Sequence, residues 1–377
     1  MNSRERIVAA LSHKEPDKVP IELSGSANST ITKNAYINLR QFLGLKEDKD
    51  IIFSWFTTGT VRPKEDLLTF YSIDTRSVYL RPSKKKKIHF LPDGTFYDDF
   101  GAKWKPASYY YDVIERPLAN AISISDISNA KWEDPYDETI IDGLRQNTVE
   151  LYENTKYCLV GDFHTLGPFE GGCYLRGFEN FLEDLYLNKK FAQALLDKLT
   201  GHCIAKWDIF LKEVGEFVQV VCQGDDLGMQ ESTYISPEMY RNLIKPCHKK
   251  IYDFIRNKTK AKILMHSCGS VYDLVKDFIE IGVDILNPVQ RSAAKMDIKG
   301  LKKEFGKDIS FWGGGIDIQS QLPFYNLRQI EDEIKRTIEI LAPGGGFVFF
   351  PTHNIQPDVP PQNIEHMFKS VLKYRNY

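Results

Sequence analysis

Apolar and polar positions along this chain follow two different periods. Eight short runs are apolar, β-branched or aromatic on both faces: 19–25, 75–81, 157–163, 218–223, 262–266, 283–288, 309–313 and 346–352. Strands buried on both sides read this way. Between and after them, apolar residues return every three to four positions over 178–199, 237–256, 271–281, 297–305, 326–341 and 360–374, which predicts helices. Ser236 ahead of Pro237 predicts an N-cap with proline at the first helical position. Gly282 and Gly306 predict helix ends. Near the N-terminus, Ile7 to Leu11 is a short apolar run between charges, which predicts an amphipathic first helix rather than a secretory segment.

Alternating strands and helices predict an α/β fold with a parallel sheet and helices outside it. Eight units predict closure into a single (β/α)8 TIM barrel. An open doubly wound sheet is the competing arrangement. No Gly-x-Gly-x-x-Gly follows an early strand, which disfavours its dinucleotide-binding form. Residues 83–113 break the pattern. Ile88 to Leu91, Pro92-Asp93-Gly94, Thr95 to Asp98 and Ala102 to Trp104 predict a β-hairpin insertion there. Residues 26–70 form another long connection with helix signals. Neither is read as a separate domain, so residues 1–377 are expected to form one barrel.

Composition narrows the function classes. With 49 Lys and Arg against 51 Asp and Glu, the formal charge is −2. That balance argues against nucleic acid as the partner. No apolar run approaches the roughly 18 residues that cross a bilayer, so no membrane span is expected. The six cysteines (158, 173, 203, 222, 247 and 268) are dispersed, which argues against a disulfide framework and for a reducing cytoplasm. Cys173, Cys203, Cys222 and Cys247 are expected to be structural. The lysines at 84–87 read as a solvated face, with an anion site as the alternative.

In a barrel of this kind, reactive groups collect where strands end. The third run ends Gly161-Asp162-Phe163-His164, the fourth Gly224-Asp225-Asp226, the fifth His266-Ser267-Cys268-Gly269, the seventh Gly313-Gly314-Gly315-Ile316-Asp317, and the eighth Thr352-His353-Asn354. Residues i and i+2 of an extended segment point to one side, so His266 and Cys268 converge. Imidazole and thiolate are both zinc ligands. His353, at the end of another strand, is the candidate third. The same residue types also occur as a small buried hydrophobe and a hydrogen-bonded core histidine. Of Asp225 and Asp226, one is expected to face the pocket as acid/base, cation ligand or metal ligand, unless it serves local backbone N–H groups. Glu170, read as a loop residue after the third strand, carries the same two possibilities. His164, Gly314 and Asp317 are candidates for substrate contact.

At these motifs the chain resembles the uroporphyrinogen decarboxylase superfamily, over nearly its whole length. Pro16-Asp17-Lys18-Val19-Pro20 resembles the family's entry to the first strand. His266-Ser267-Cys268-Gly269 resembles the His-x-Cys-Gly of its zinc-dependent methyltransferases. Gly313 to Asp317 resembles the Gly-Asn-x-Asp segment. His353-Asn354-Ile355, with Pro357 and Pro360-Pro361-Gln362-Asn363, resembles the closing pattern. The haem-pathway decarboxylases carry an Arg-Gln-x-x-Gly-Arg motif after strand one. Here that stretch is Leu23-Ser24-Gly25-Ser26-Ala27-Asn28, without arginine. Their essential Asp at the end of strand two is replaced by Tyr79-Leu80-Arg81-Pro82.

The resemblance therefore implies the methyltransferase branch. It implies Zn²⁺ held by His266, Cys268 and His353, the last in place of the branch's second cysteine. It further implies a methyl group moving between a corrinoid on a partner protein and a small acceptor or donor, a thiol being one acceptor. Residues 26–70 and 83–113 would shape the docking surface. Asp225, Asp226 and Glu170 would orient substrate or move protons. The alternative enzyme is a metal-free lyase acting on a small carboxylated substrate. A barrel that binds without turnover is the third possibility.

Overall fold

The computed structural model describes residues 1–86, 88–162 and 166–376. Seven parallel strands form the central sheet: β1 (Thr75–Val78), β2 (Cys158–Gly161), β3 (Val220–Gly224), β4 (Lys262–His266), β5 (Ile285–Asn287), β6 (Ser310–Trp312) and β7 (Phe347–Val348). Neighbours in space are neighbours in sequence, and every pairing is parallel. The sheet curls. Its two edges are drawn together by residues 20–22: Phe349 N donates to Pro20 O and Glu22 N to Phe349 O, both at 2.9 Å, and Asp74 N donates to Ile21 O at 2.8 Å. This is the first predicted run, and it makes a single bridge, Ile21 with Phe349. Pro20 has no N–H to give, and Ile21 N bonds the Asp74 carboxylate rather than a strand. Both facts keep the run from extending its ladder.

Side chains alternate across the sheet, as period two requires. Cys158, Val160, Val220, Cys222, Leu264, Ile285, Trp312 and Val348 pack inside the curl, closed from below by Ile7 and Leu11. Leu159, Val221, Ile263, Met265, Leu286, Phe311 and Phe347 belong to the larger core beneath the helices. The N-terminal helix, Ser3–Ala10, is fastened by a capping box between Asn2 and Glu5.

The helix signals locate the outer layer, with two revisions. The 178–199 stretch divides at Asn188 into Phe178–Leu187 and Lys189–Val214. The 237–256 stretch starts as expected, Ser236 Oγ accepting from Met239 N at 3.1 Å. It then widens into a π turn over Tyr240–Ile244 before Lys245–Lys258. Pro246 has no N–H for the carbonyl one turn back, a standard cause of such a turn. Asp297 caps Ile298–Phe305, and Asn326 with Gln329 forms a capping box on Leu327–Leu341.

The insertion is built differently from its expected pattern. Pairing of Ile88 to Leu91 with Thr95 to Asp98 reduces to one bridge, Phe90 with Phe96. The main ladder joins Lys103–Ala107 to Tyr110–Glu115, with Phe96–Tyr97 added at the edge. Among the described lysines of the 84–87 run, Lys84 pairs with Asp142, Lys85 with Asp137 at 3.0 Å and Lys86 with Asp99 at 3.3 Å. Among the described residues no helix is long and apolar enough to cross a membrane.

Candidate metal centre

β4 ends at His266, and the chain runs on through Ser267 to Cys268. Ser267 N donates to Asn287 O at 2.8 Å, and Ser267 Oγ accepts from Leu227 N at 3.0 Å. These bonds continue the extended course past the strand end. His266 and Cys268 therefore share a side, and Cys268 Sγ lies 3.4 Å from His266 Nε2. His353 arrives from the loop after β7, its ring 5.3 Å from that of His266 and inclined at 65°. One ligand atom from each of the three lies within 4.8 Å of the others. Zn–N bonds of about 2.0–2.1 Å and a Zn–S bond of about 2.3 Å place tetrahedral ligands about 3.3–3.6 Å apart. The sulfur–nitrogen pair already has that spacing, and no separation exceeds it by more than about 1.5 Å. The donor set and its spacing fit zinc.

The electrostatics suit a cation. Burial lowers His353 to about 3, with His266 adding to the effect. Burial also lowers His266, against the pull of Asp226. Both imidazoles are thus neutral at neutral pH, the form in which an imidazole can bind a metal. Burial, then Asp226 and Glu170, push the Cys268 thiol well up. A dication reverses that last preference, because thiolate is the form that binds metal.

Two acids stand beside the triad. Asp226 Oδ1 accepts from Cys268 N at 2.8 Å and lies 3.8 Å from His266 Nε2. Glu170 is pushed well above the usual carboxylate range by burial, then by Asp226 and Asp225. Glu170 is not on a loop: Pro168–Arg176 is helical, and Glu170 lies in its first turn. Gly171 and Gly172 weaken the helix signal in the sequence. In the fold they admit neighbours, since a Cβ would fall 2.8 Å from Leu199 at the first and 2.4 Å from the Phe181 ring at the second.

The remaining candidates face other partners. Asp225 is fully buried and accepts from Phe169 N at 2.9 Å, Glu170 N at 2.6 Å and His248 Nε2 at 2.7 Å. Gly314 packs on Val289 and offers its carbonyl to Arg291. Asp317 Oδ1 accepts from Gln319 N, Ser320 N and Ser320 Oγ at 2.7–2.9 Å, closing its own turn. His164 lies outside the described residues.

Sequence reasoning missed the groups behind the triad. Asn287 Oδ1 lies 2.5 Å from His266 Nδ1, and Asn287 Nδ2 donates to Trp312 O at 2.8 Å. Gln290 Oε1 accepts from Gly269 N at 2.7 Å. Asn287 ends β5, so the strand-end rule that singled out the others also points to it.

A family model described as uroporphyrinogen decarboxylase (URO-D) matches residues 114–374. No curated protein matches the chain. Among solved structures, a methyltransferase from Methanosarcina mazei superposes with a TM-score of 0.66 at 16% identity, over 99% of each chain. Xylanase 10B from Thermotoga maritima gives 0.37 at 12% identity, over 62% of this chain and 81% of its own. The first likeness is one of fold. The second carries no argument.

Proposed function

The chain belongs to the uroporphyrinogen decarboxylase family, and from that membership we propose that it is a zinc-dependent methyltransferase on a single (β/α)8 barrel. It moves a methyl group between a corrinoid carried by a partner protein and a small acceptor, such as a thiol, or a methylated donor. The observation that carries this reading is the convergence of His266, Cys268 and His353 within 4.8 Å. Decarboxylation of a porphyrinogen is disfavoured, because the stretch from Leu23 to Asn28 has no arginine for the substrate's carboxylates.

His266, Cys268 and His353 would hold the metal, each offering one ligand atom. The chemistry a zinc would supply there is stabilisation of an acceptor thiol as thiolate at neutral pH. Asp226 holds the Cys268 backbone in place through its N–H. Glu170, whose carboxyl burial and then Asp226 and Asp225 push well above the usual carboxylate range, would give a proton to the substrate or take one from it. The raised Glu170 carboxyl beside the triad also favours a second reading, a metal-free lyase acting on a small carboxylated substrate.

Metal analysis of purified protein tests the first reading. About one zinc per chain is expected, lost on Cys268→Ala. Stoichiometric metal that survives this substitution counts against the site. Absence of metal together with CO₂ release from a carboxylated substrate selects the lyase.

A further inference from the structure

We propose that Asn287 is a positioning residue that locks His266 in its Nδ1–H tautomer, so that the nitrogen turned to Cys268 Sγ is the unprotonated Nε2. The inference rests on reading that triad as the metal site, and it assigns the groups that prepare one ligand.

An asparagine side chain has two chemically different ends, and its orientation follows from what each end meets. A backbone carbonyl only accepts. Trp312 O lies 2.8 Å from one end of the Asn287 amide, so that end is the NH₂. The opposite rotamer would set two oxygens against each other. The carbonyl end therefore faces His266 Nδ1, at 2.5 Å. An amide oxygen accepts and never donates, so Nδ1 carries the hydrogen. A neutral imidazole carries one N–H. Nε2 is then left with its lone pair, 3.4 Å from Cys268 Sγ.

The chain of bonds crosses three adjacent strands: a carbonyl at the end of β6, an amide at the end of β5 and an imidazole at the end of β4. His266 and Asn287 are direct register partners. Asn287 and Trp312 are each 1% exposed, so solvent does not compete for these bonds. A ring left to choose the other tautomer would point an N–H at the thiol and offer no lone pair there. Metal-bound histidines elsewhere donate their second N–H in this manner, and loss of that partner weakens metal binding about 10–100-fold.

The decisive measurement is a long-range ¹H–¹⁵N correlation spectrum of metal-free, histidine-labelled protein, with His266 assigned by its absence in His266→Ala. The expected result is a protonated Nδ1 and an unprotonated Nε2. Asn287→Leu is expected to move the population toward Nε2–H. It is also expected to weaken zinc, measured by competition with a chromophoric chelator, about 10–100-fold. An Nε2–H signal in the wild-type protein overturns the proposal. So does an Asn287→Leu protein whose tautomer and zinc affinity match the wild type. If Asn287→Leu does not fold, the wild-type spectrum decides. If the wild type shows the stated tautomer but takes up no zinc, only the metal reading fails.

Discussion

Asp225 and His248 meet at 2.7 Å with neither side chain exposed to solvent. The histidine comes from the Lys245–Lys258 helix and the aspartate from the end of β3. The same carboxylate takes the N–H groups of Phe169 and Glu170, at the start of the Pro168–Arg176 helix. Both of its oxygens accept from N–H donors, so His248 Nε2 carries the shared hydrogen. Removing such a carboxylate strands three buried donors. Asp225→Ala is expected to lose about 3–5 kcal/mol of unfolding free energy in urea. A loss below about 1 kcal/mol would give Asp225 a different role.

Its neighbour should behave in the opposite manner. The Asp226 side chain is 39% exposed, and of the pair it is the acid that touches the triad. Asp226→Asn is expected to change stability by less than about 1 kcal/mol, as partly exposed substitutions usually do. Its effect should appear at sulfur. Burial and then Asp226 raise the Cys268 thiol, so removing that negative charge lowers the pKa. Thiolate absorbance of metal-free protein, read against a Cys268→Ala blank, should rise at lower pH in the variant. An unmoved titration would separate Asp226 from the thiol.

Glu22 supplies a pH signature of its own. Its carboxyl is fully buried among Thr75, Ser29 and Gly25 N, and burial raises it from 4.5 to about 7. Below pH 4.5 both folded and unfolded chains hold the proton, so the contribution to stability is complete there. From 4.5 to 7 the unfolded chain ionises while the folded one does not. Stability therefore falls as pH rises through this window, by about 3 kcal/mol at about 1.4 kcal/mol per pH unit. The difference between wild type and Glu22→Gln should trace that slope between pH 4.5 and 7 and be flat outside it. A difference independent of pH would mean that Glu22 is ionised in the fold.

What the sequence made legible divides by range. Seven of the eight apolar runs became strands because burial on both faces marks a covered strand locally. The triad was legible because i and i+2 share a side in extended chain, and because a strand end names its own rim. The roles of Asp225 and Asp226 were not legible. His248 lies 23 residues from Asp225, on another element, and nothing near Asp225 in sequence announces it. The Pro168–Arg176 helix was hidden by Gly171 and Gly172, whose purpose is set by Leu199 and Phe181. Asn287 gives no such signal, because an amide is neither acid nor base and is not among the usual zinc ligands.

The loop that carries Cys268 depends on a glycine for two reasons that can be separated. Gly269 has φ +82°, which an L side chain adopts at a cost of about 1–2 kcal/mol. It also faces backbone: a Cβ there would lie 2.4 Å from Gly228 C, 2.5 Å from Gly228 O and 2.5 Å from Met229 O. Neither neighbour is a side chain that can swing away. Gly44 serves as the control, with φ +67° and nothing within 4 Å of a built Cβ. Gly44→Ala should lose only the conformational term, about 1–2 kcal/mol in urea unfolding. Gly269→Ala adds a backbone clash and should lose clearly more. Relief of that clash moves Gly269 away from Gly228 and strains the bond from Gly269 N to Gln290. Cys268 moves with it, so zinc affinity should fall although no ligand is changed. Equal losses for the two variants, with zinc affinity intact in Gly269→Ala, would show that the loop yields without disturbing the sulfur.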